Sequence, residues 1–160
     1  MAKTEDKYPL DATDKAILNI IQHNSRRTIK EIAQELHLST TPIFDRMKKM
    51  EKAGVIKQYV ALVDQKKIGK ALTIFITIAL KEHDKGAISN FVETITQFPE
   101  VLECHHITGN ADFLLKLVLA DIEAYNQFIL EKLSVIPHIG HVESRFSLSQ
   151  RKMTTAIPVI

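Results

Sequence analysis

The sequence predicts an α+β protein in two parts, a three-helix N-terminal domain and a C-terminal sandwich of four strands and two helices. Two observations support this prediction. Apolar residues recur at helical spacing in the first third of the chain, and the remainder alternates β-rich runs with helical patterns in the order βαββαβ. We expect the first domain to span residues 1–64, a linker 65–70 and the sandwich 71–160.

The composition is that of an ordinary globular protein, with 45% hydrophobic and 25% charged residues. No apolar run reaches the roughly eighteen residues that a membrane span needs, so we expect no membrane partner. The stretch from Met1 to Tyr8 is polar and lacks the apolar core of a signal peptide, so we expect a cytoplasmic protein. Cys104 is the only cysteine, which excludes an intrachain disulfide and a thiolate metal cluster.

Three helices are predicted before residue 55, each with its own start or stop signal. Asp11 can cap the first helix, and Thr28 and Glu31 form a capping box for the second. Pro42 lies in the first turn of the third helix, where its missing N–H costs nothing, and Gly54 ends that helix. A short helix, a tight turn and a second helix of this kind predict a helix-turn-helix.

The third helix has one apolar stripe and an opposite face that is polar and basic, as entry into a DNA major groove requires. Residues 26–57 contain eight Lys or Arg against four Asp or Glu, and such a local excess of positive charge suits phosphate contact. A plain three-helix bundle with a charged outer face is the alternative interpretation. The predicted partner is double-stranded DNA, and the candidate contacts are Arg27, Thr28, Ser39, Thr40, Thr41, Asp45, Arg46, Lys48, Lys49 and Lys57.

Roles can be assigned to some of these residues. Thr40 and Thr41 lie at the end of the helix that usually reaches base edges, whereas Arg46 and Lys49 suit phosphates or a guanine. Residues 55–64 are β-branched and aromatic and predict a strand, either a wing or a connecting strand, from which Lys57 could touch the DNA backbone.

The second domain is predicted to be a ferredoxin-like sandwich, with an antiparallel sheet that carries both helices on one face. The first and third of its strands are so apolar that we expect both faces of the sheet to be buried, the second one against another copy of the chain in a symmetric dimer. The predicted strands are 71–80, 101–108, 112–120 and 142–149, with helices around 88–98 and 121–133.

Three stretches of the sequence together resemble one known family. These are LDATDKAILNIIQHNSR, IAQELHLSTTPIFDRMKKMEKAGVIKQYVALVD and VLECHHITGNADFLLKLVL. In order and spacing they are similar to the Lrp/AsnC (leucine-responsive, asparagine-operon) transcription regulators along nearly the whole chain. The resemblance implies a DNA-binding domain, an effector-sensing domain that responds to a small metabolite such as an amino acid, and rings of four dimers. Phe44 and Phe146 depart from the family pattern, which affects the expected base preference and the polarity of the ligand pocket.

The resemblance also implies an effector site at the turn of the predicted hairpin. Gly109 and Asn110 can offer backbone N–H groups to a carboxylate, and Asp112 can bind an α-ammonium group. The alternative is an ordinary hairpin turn that Asp112 caps. Weaker candidates on the last strand are Ser144, Arg145 and Ser147.

Other functions are less well supported by the residues. We predict no metal site, because neighbours such as His105 and His106 point to opposite faces of a strand, and no catalytic residue or cofactor other than an amino-acid effector. Relatives of this family that process tetrapyrroles make an enzyme one alternative. The basic face of the helix-turn-helix argues against it. A nucleoid-organising protein of low sequence specificity is the other alternative.

Overall fold

The computed structural model describes residues 8–160, which divide into two compact units. One unit ends at Leu62 and also includes residues 152–160, and the other spans residues 63–151. The second domain expected from the sequence, 71–160, therefore differs at its end, because the last nine residues group with the helical unit. The polar stretch before Tyr8 lies outside the described residues.

The N-terminal unit is built from three helices, α1 (Ala12–His23), α2 (Ile29–Glu35) and α3 (Thr40–Lys52). Both predicted caps of the first two helices are present as full capping boxes, in which the two side chains each accept the other residue's N–H. Ser39 occupies the cap position of α3 without a side-chain hydrogen bond. The core of the unit contains Ile17, Leu18, Ile21, Ile32, Ala33, Ile43 and Met50.

The strand predicted over residues 55–64 is wrong, since this segment pairs with no strand within residues 8–160. Its first two N–H groups, those of Val55 and Ile56, instead donate to the carbonyl of Met50 at 2.9 and 3.2 Å, which satisfies the end of α3. The β-branched composition favours an extended backbone, but a strand also needs a hydrogen-bonding neighbour, which composition cannot show.

The second unit contains a sheet of four antiparallel strands in the order β2-β3-β1-β4. This is the predicted ferredoxin-like topology, and the prediction is confirmed. The α-helical part of the last helix is shorter than expected, since the residues that follow it, Phe128–Leu133, form a π-helical segment. The elements are β1 (Leu72–Leu80), α4 (Lys85–Ile95), β2 (Val101–His106), β3 (Phe113–Leu119), α5 (Ile122–Gln127) and β4 (Ile139–Phe146).

The two faces of the sheet differ in character. Ile74, Ile76 and Ile78 of β1 are fully buried in one core together with residues of the helices. Because side chains alternate along a strand, Phe75 and Thr77 point to the opposite, outer face. On this outer face β1 combines the apolar Phe75 with polar side chains such as Thr77, and the burial of this face against a second copy of the chain stays a prediction. Ion pairs lie on its neighbours, Lys116–Glu103 at 2.6 Å and Arg145–Glu143 at 2.8 Å. Within the described part of the chain, no helix is long and apolar enough to cross a membrane.

Candidate nucleic-acid interface and effector site

The outer face of α3 is polar and accessible along its length. Ile43 and Met50 are fully buried, Met47 is half-buried, and the side chains on the opposite side of the helix are exposed to solvent. Lys49 is exposed and has no ion pair within residues 8–160. The exposed residues of this surface, hereafter the α3 outer face, are Thr40, Thr41, Asp45, Lys48, Lys49 and Lys52.

Arg46 does not belong to the α3 outer face. Its Nη1 donates to Oδ1 of Asp14 at 2.8 Å and also to Asp11, at the N-terminus of α1. These two hydrogen bonds, the one to Asp14 first, raise the pKa of the Arg46 guanidinium. The pKa of Asp11 is lowered, chiefly by the N–H of Asp14 and next by Arg46. Arg46 thus joins α3 to α1, and its contact with a phosphate or a guanine stays a prediction.

Arg27 and Thr28 are also bound within the unit. Nη2 of Arg27 lies 2.6 Å from a carboxylate oxygen of Glu35. Thr28 donates its N–H and its hydroxyl to Glu31 at 2.7 and 2.9 Å, and these bonds, the N–H first, lower the pKa of Glu31. Thr28 thus caps the start of α2 and Arg27 binds the last residue of that helix, and a phosphate contact would have to be made beside these bonds. Ser39 and Lys57 are exposed.

An open groove of about 250 Å³ lies beside the α3 outer face, lined in part by Phe44, Met47 and Tyr59. The Tyr59 hydroxyl donates to Glu51 at 3.0 Å, and Lys48 binds the same carboxylate group at 2.8 Å. Partial burial, and next this hydrogen bond, raise the pKa of Tyr59 to about 12. Sequence reasoning missed Tyr59 as a member of this cluster, although it lies in the family-like GVIKQYVA run.

The turn between β2 and β3 places the proposed effector residues at one end of the sheet. Gly109 has a φ of +115°, a backbone conformation that residues with a Cβ rarely adopt. Asp112 accepts the N–H of Leu80 at 2.7 Å, and its carboxylate lies 3.1 Å from Nε2 of His83. A carboxylate has about four lone-pair sites, and these two contacts occupy two of them. Gly109 and Asn110 are exposed.

The candidates on β4 do not form one cluster. Ser144 lies on the helix-covered face, where the Tyr125 hydroxyl donates to it at 2.9 Å, whereas Arg145 lies on the outer face opposite Phe75. Ser147 donates its N–H to Thr73, at the far end of β1 from the turn. At about 3.3 Å per residue, the five residues from Thr73 to Ile78 separate the two ends by roughly 17 Å. Within one chain, therefore, Ser147 and Asp112 cannot hold the same small ligand.

The histidines are spread over several elements. His106 stacks on Phe113 at a centroid distance of 4.8 Å, His105 lies 3.2 Å from Glu103, and His83 lies beside Asp112. Among residues 8–160 no group of three or more histidine, cysteine or acidic side chains is placed to hold a metal ion.

Comparisons with known proteins match both units of the chain to described domain families. The family model described as winged helix-turn-helix DNA-binding matches residues 10–57, and that of the Lrp/AsnC ligand binding domain matches residues 73–157. The transcriptional regulator AzlB of Bacillus subtilis is 35% identical over 94% of this chain and 96% of its own length. The glutamate uptake regulatory protein of Zymomonas mobilis is 34% identical over 94% of this chain and 91% of its own.

Solved structures of similar proteins agree with these family matches. A transcriptional regulator from Neisseria meningitidis, crystallised with L-Met, superposes with a TM-score of 0.90 at 34% identity, over 94% of this chain and 97% of that one. AsnC of Escherichia coli superposes with a TM-score of 0.85 at 28% identity, over 92% and 98% of the two chains. The relatives are named as regulators, and the enzyme alternative is set aside. The chain belongs to the Lrp/AsnC family of DNA-binding transcription regulators.

Proposed function

We propose that the protein binds operator DNA through the α3 outer face, and that an amino acid bound at the turn of residues 109–112 changes this binding. The proposed DNA binding rests on one observation, the continuous exposed face of α3, whose opposite side buries Ile43 and Met50. Thr40 and Thr41 at its start suit base edges, and Lys48 and Lys49 suit phosphates. Asp45 on the same face is a further candidate, and so are Arg27, Thr28, Ser39 and Lys57 outside it.

An amino acid is the class of effector that the turn suits. Asp112 retains lone pairs for an ammonium group, and the exposed backbone at Gly109 and Asn110 can donate to a carboxylate. One relative is named for glutamate uptake and another was crystallised with L-Met, which supports the same chemical class. The protein then needs no cofactor, and it acts where the chromosome lies, in the cytoplasm.

We further propose that the outer face of the sheet packs against a second copy of the chain. Phe75 is 38% exposed at its centre, and the residues beside it, Thr77 and Leu114, add a small apolar area. Arg145 and Lys116 border this area with their ion pairs, so that the patch has an apolar centre and a charged rim, as protein interfaces commonly do. Four such dimers in a ring are the expected assembly.

The proposed binding of an amino-acid effector is tested by screening the twenty amino acids in a thermal-shift assay. A true effector at a hundred times its Kd should stabilise the protein by about 2.7 kcal/mol. The best amino acid is then measured by calorimetry on Asp112→Asn, which keeps an oxygen for the Leu80 N–H but removes the charge. Glu123→Gln, an exposed carboxylate on α5, is the matched control. We expect weaker binding in the first variant only, and unchanged affinity there would locate the pocket elsewhere.

The DNA half is tested by footprinting on the protein's own promoter and on random DNA of equal length. A regulator with a specific operator protects a defined site at concentrations that leave random DNA uncovered. Equal protection of both would favour the nucleoid-organising alternative.

A further inference from the structure

The segment 152–160 lies along α1 and is held by a side-chain amide. Nε2 of Gln22 donates to the carbonyl of Ile157 at 3.0 Å, and the N–H of Ile157 donates to Oε1 of Gln22 at 2.7 Å. One glutamine thus satisfies both backbone groups of one residue, as a neighbouring strand would do in a sheet. The two residues are 135 positions apart in the sequence, so this is a tertiary contact.

A second pair of residues extends the contact. Nδ2 of Asn19 donates to the carbonyl of Val159 at 3.3 Å, and the half-buried Val159 side chain packs against the core of the helical unit. Asn19 and Gln22 are three residues apart and therefore lie on the same face of α1. Pro158, between the two bound residues, has a fixed φ and reduces the number of conformations that docking must remove.

From this geometry we infer that the face of α1 formed by Asn19 and Gln22 is a docking site for an extended peptide, and that its occupant is segment 152–160 of the same chain. Backbone recognition by the two amides fixes the direction and register of the peptide. The Val159 side chain adds the apolar anchor. The DNA-binding unit is therefore discontinuous in sequence, composed of the three helices and of a peptide that follows the sheet of the other unit.

This site differs from the α3 outer face. The DNA candidates lie on α3, beside its two ends and at the start of α2, whereas the peptide binds α1 and the core beneath it. Because the inference needs neither DNA nor effector, it can fail while the proposed function stands, and the reverse also holds.

Hydrogen exchange on the full chain is the first test. In the wild-type protein we expect the amide of Ile157, whose N–H donates to Gln22, to exchange more slowly than in a free peptide of the same sequence. Gln22→Ala should remove most of this protection, whereas Gln34→Ala, which changes an exposed glutamine on α2, should leave it intact. Exchange of the wild-type segment at the free-peptide rate would overturn the inference.

A chain that ends at Arg151 gives the second test. A fluorescent synthetic peptide of residues 152–160 should bind this shortened chain saturably, and it should bind the full chain far more weakly because the site is already filled. In the shortened chain, Gln22→Ala should raise the Kd about thirtyfold, the effect of two net hydrogen bonds. A peptide with the same residues in scrambled order is the control. Equal binding of both peptides, or of the true peptide to both chains, would contradict the docking site.

Discussion

The Nη1 atom of Arg46 lies 2.8 Å from Oδ1 of Asp14, and this hydrogen bond joins the middle of α3 to the first turn of α1. Asp14 is 3% exposed and is the one buried ionisable side chain among residues 8–160. A buried carboxylate requires a partner, and Arg46 provides it with a charge-assisted bond. The bond fixes α3 against α1.

Replacing Arg46 should therefore act first on stability. We expect Arg46→Ala to lower the free energy of unfolding by about 1–3 kcal/mol, because it leaves the Asp14 carboxylate buried without its main donor. Lys49→Ala, an exposed change on the same helix, should stay within about 0.5 kcal/mol of the wild type. Urea titration followed by circular dichroism measures both. Equal midpoints for the two variants would show that the bond does not stabilise the unit.

Replacing Lys49 should act on DNA binding. If its ammonium group contacts a phosphate, Lys49→Ala should weaken binding to all sequences and reduce the slope of log K against log salt by about 0.9. Lys85→Ala, which removes an exposed lysine from α4 in the other unit, is the control for the change in net charge. Fluorescence anisotropy at several salt concentrations gives the slopes. A wild-type slope in Lys49→Ala would exclude this contact.

Substitutions at two neighbouring positions of β1 should have different effects, one on folding and the other on dimer assembly. Ile76 is fully buried, so Ile76→Asp should unfold the second unit, at a cost above about 4 kcal/mol. Phe75→Asp changes the outer face, so this variant should keep its circular dichroism spectrum but become monomeric. Light scattering at micromolar concentration measures the mass. A folded Phe75→Asp variant that remains a dimer would place the interface on another surface.

The ionisation of Tyr59 should be detectable at high pH. Its pKa is raised to about 12 in the folded protein, so the folded state favours the protonated phenol. This contribution to stability is fully present below the ordinary tyrosine pKa of 10.0 and is lost as the pH rises through about 12. Phenolate absorbance should show a late step that is missing in Tyr59→Phe. Glu51→Gln should move that step to lower pH, and an unmoved step would mean that Glu51 has no influence.

Most of the fold could be predicted from patterns of residues that are close together in sequence. Thr28 and Glu31 predict the start of α2 because a capping box needs only four consecutive residues, and the order of helices and strands along the chain follows from periodicity and turn residues. The α3 stripe of Ile43 and Met50 was likewise visible from helical spacing. These features depend on residues that are close together in sequence, so the sequence alone can predict them.

The prediction was wrong or incomplete where the partner of a residue is distant in sequence. The bond from Arg46 to Asp14 spans 32 residues, and periodicity alone placed Arg46 on the outer side. The phase of β4 decides whether Ser144 or Arg145 faces the helices, and that phase is set by pairing with β1. Residues 55–64 have the composition of a strand but no neighbour within residues 8–160 to pair with.

The grouping of residues 152–160 with the three helices has a practical consequence for building chimeric regulators. A hybrid joined only after Leu62 would combine a DNA reader from one parent with a terminal peptide from the other. Gln22 would then lie beside the backbone of an unrelated segment. The position of Val159 in the core would be occupied by the corresponding side chain of the other parent. A transplantable DNA-reading module from this protein therefore has two splice points, one on each side of the sensor, and both must be exchanged together.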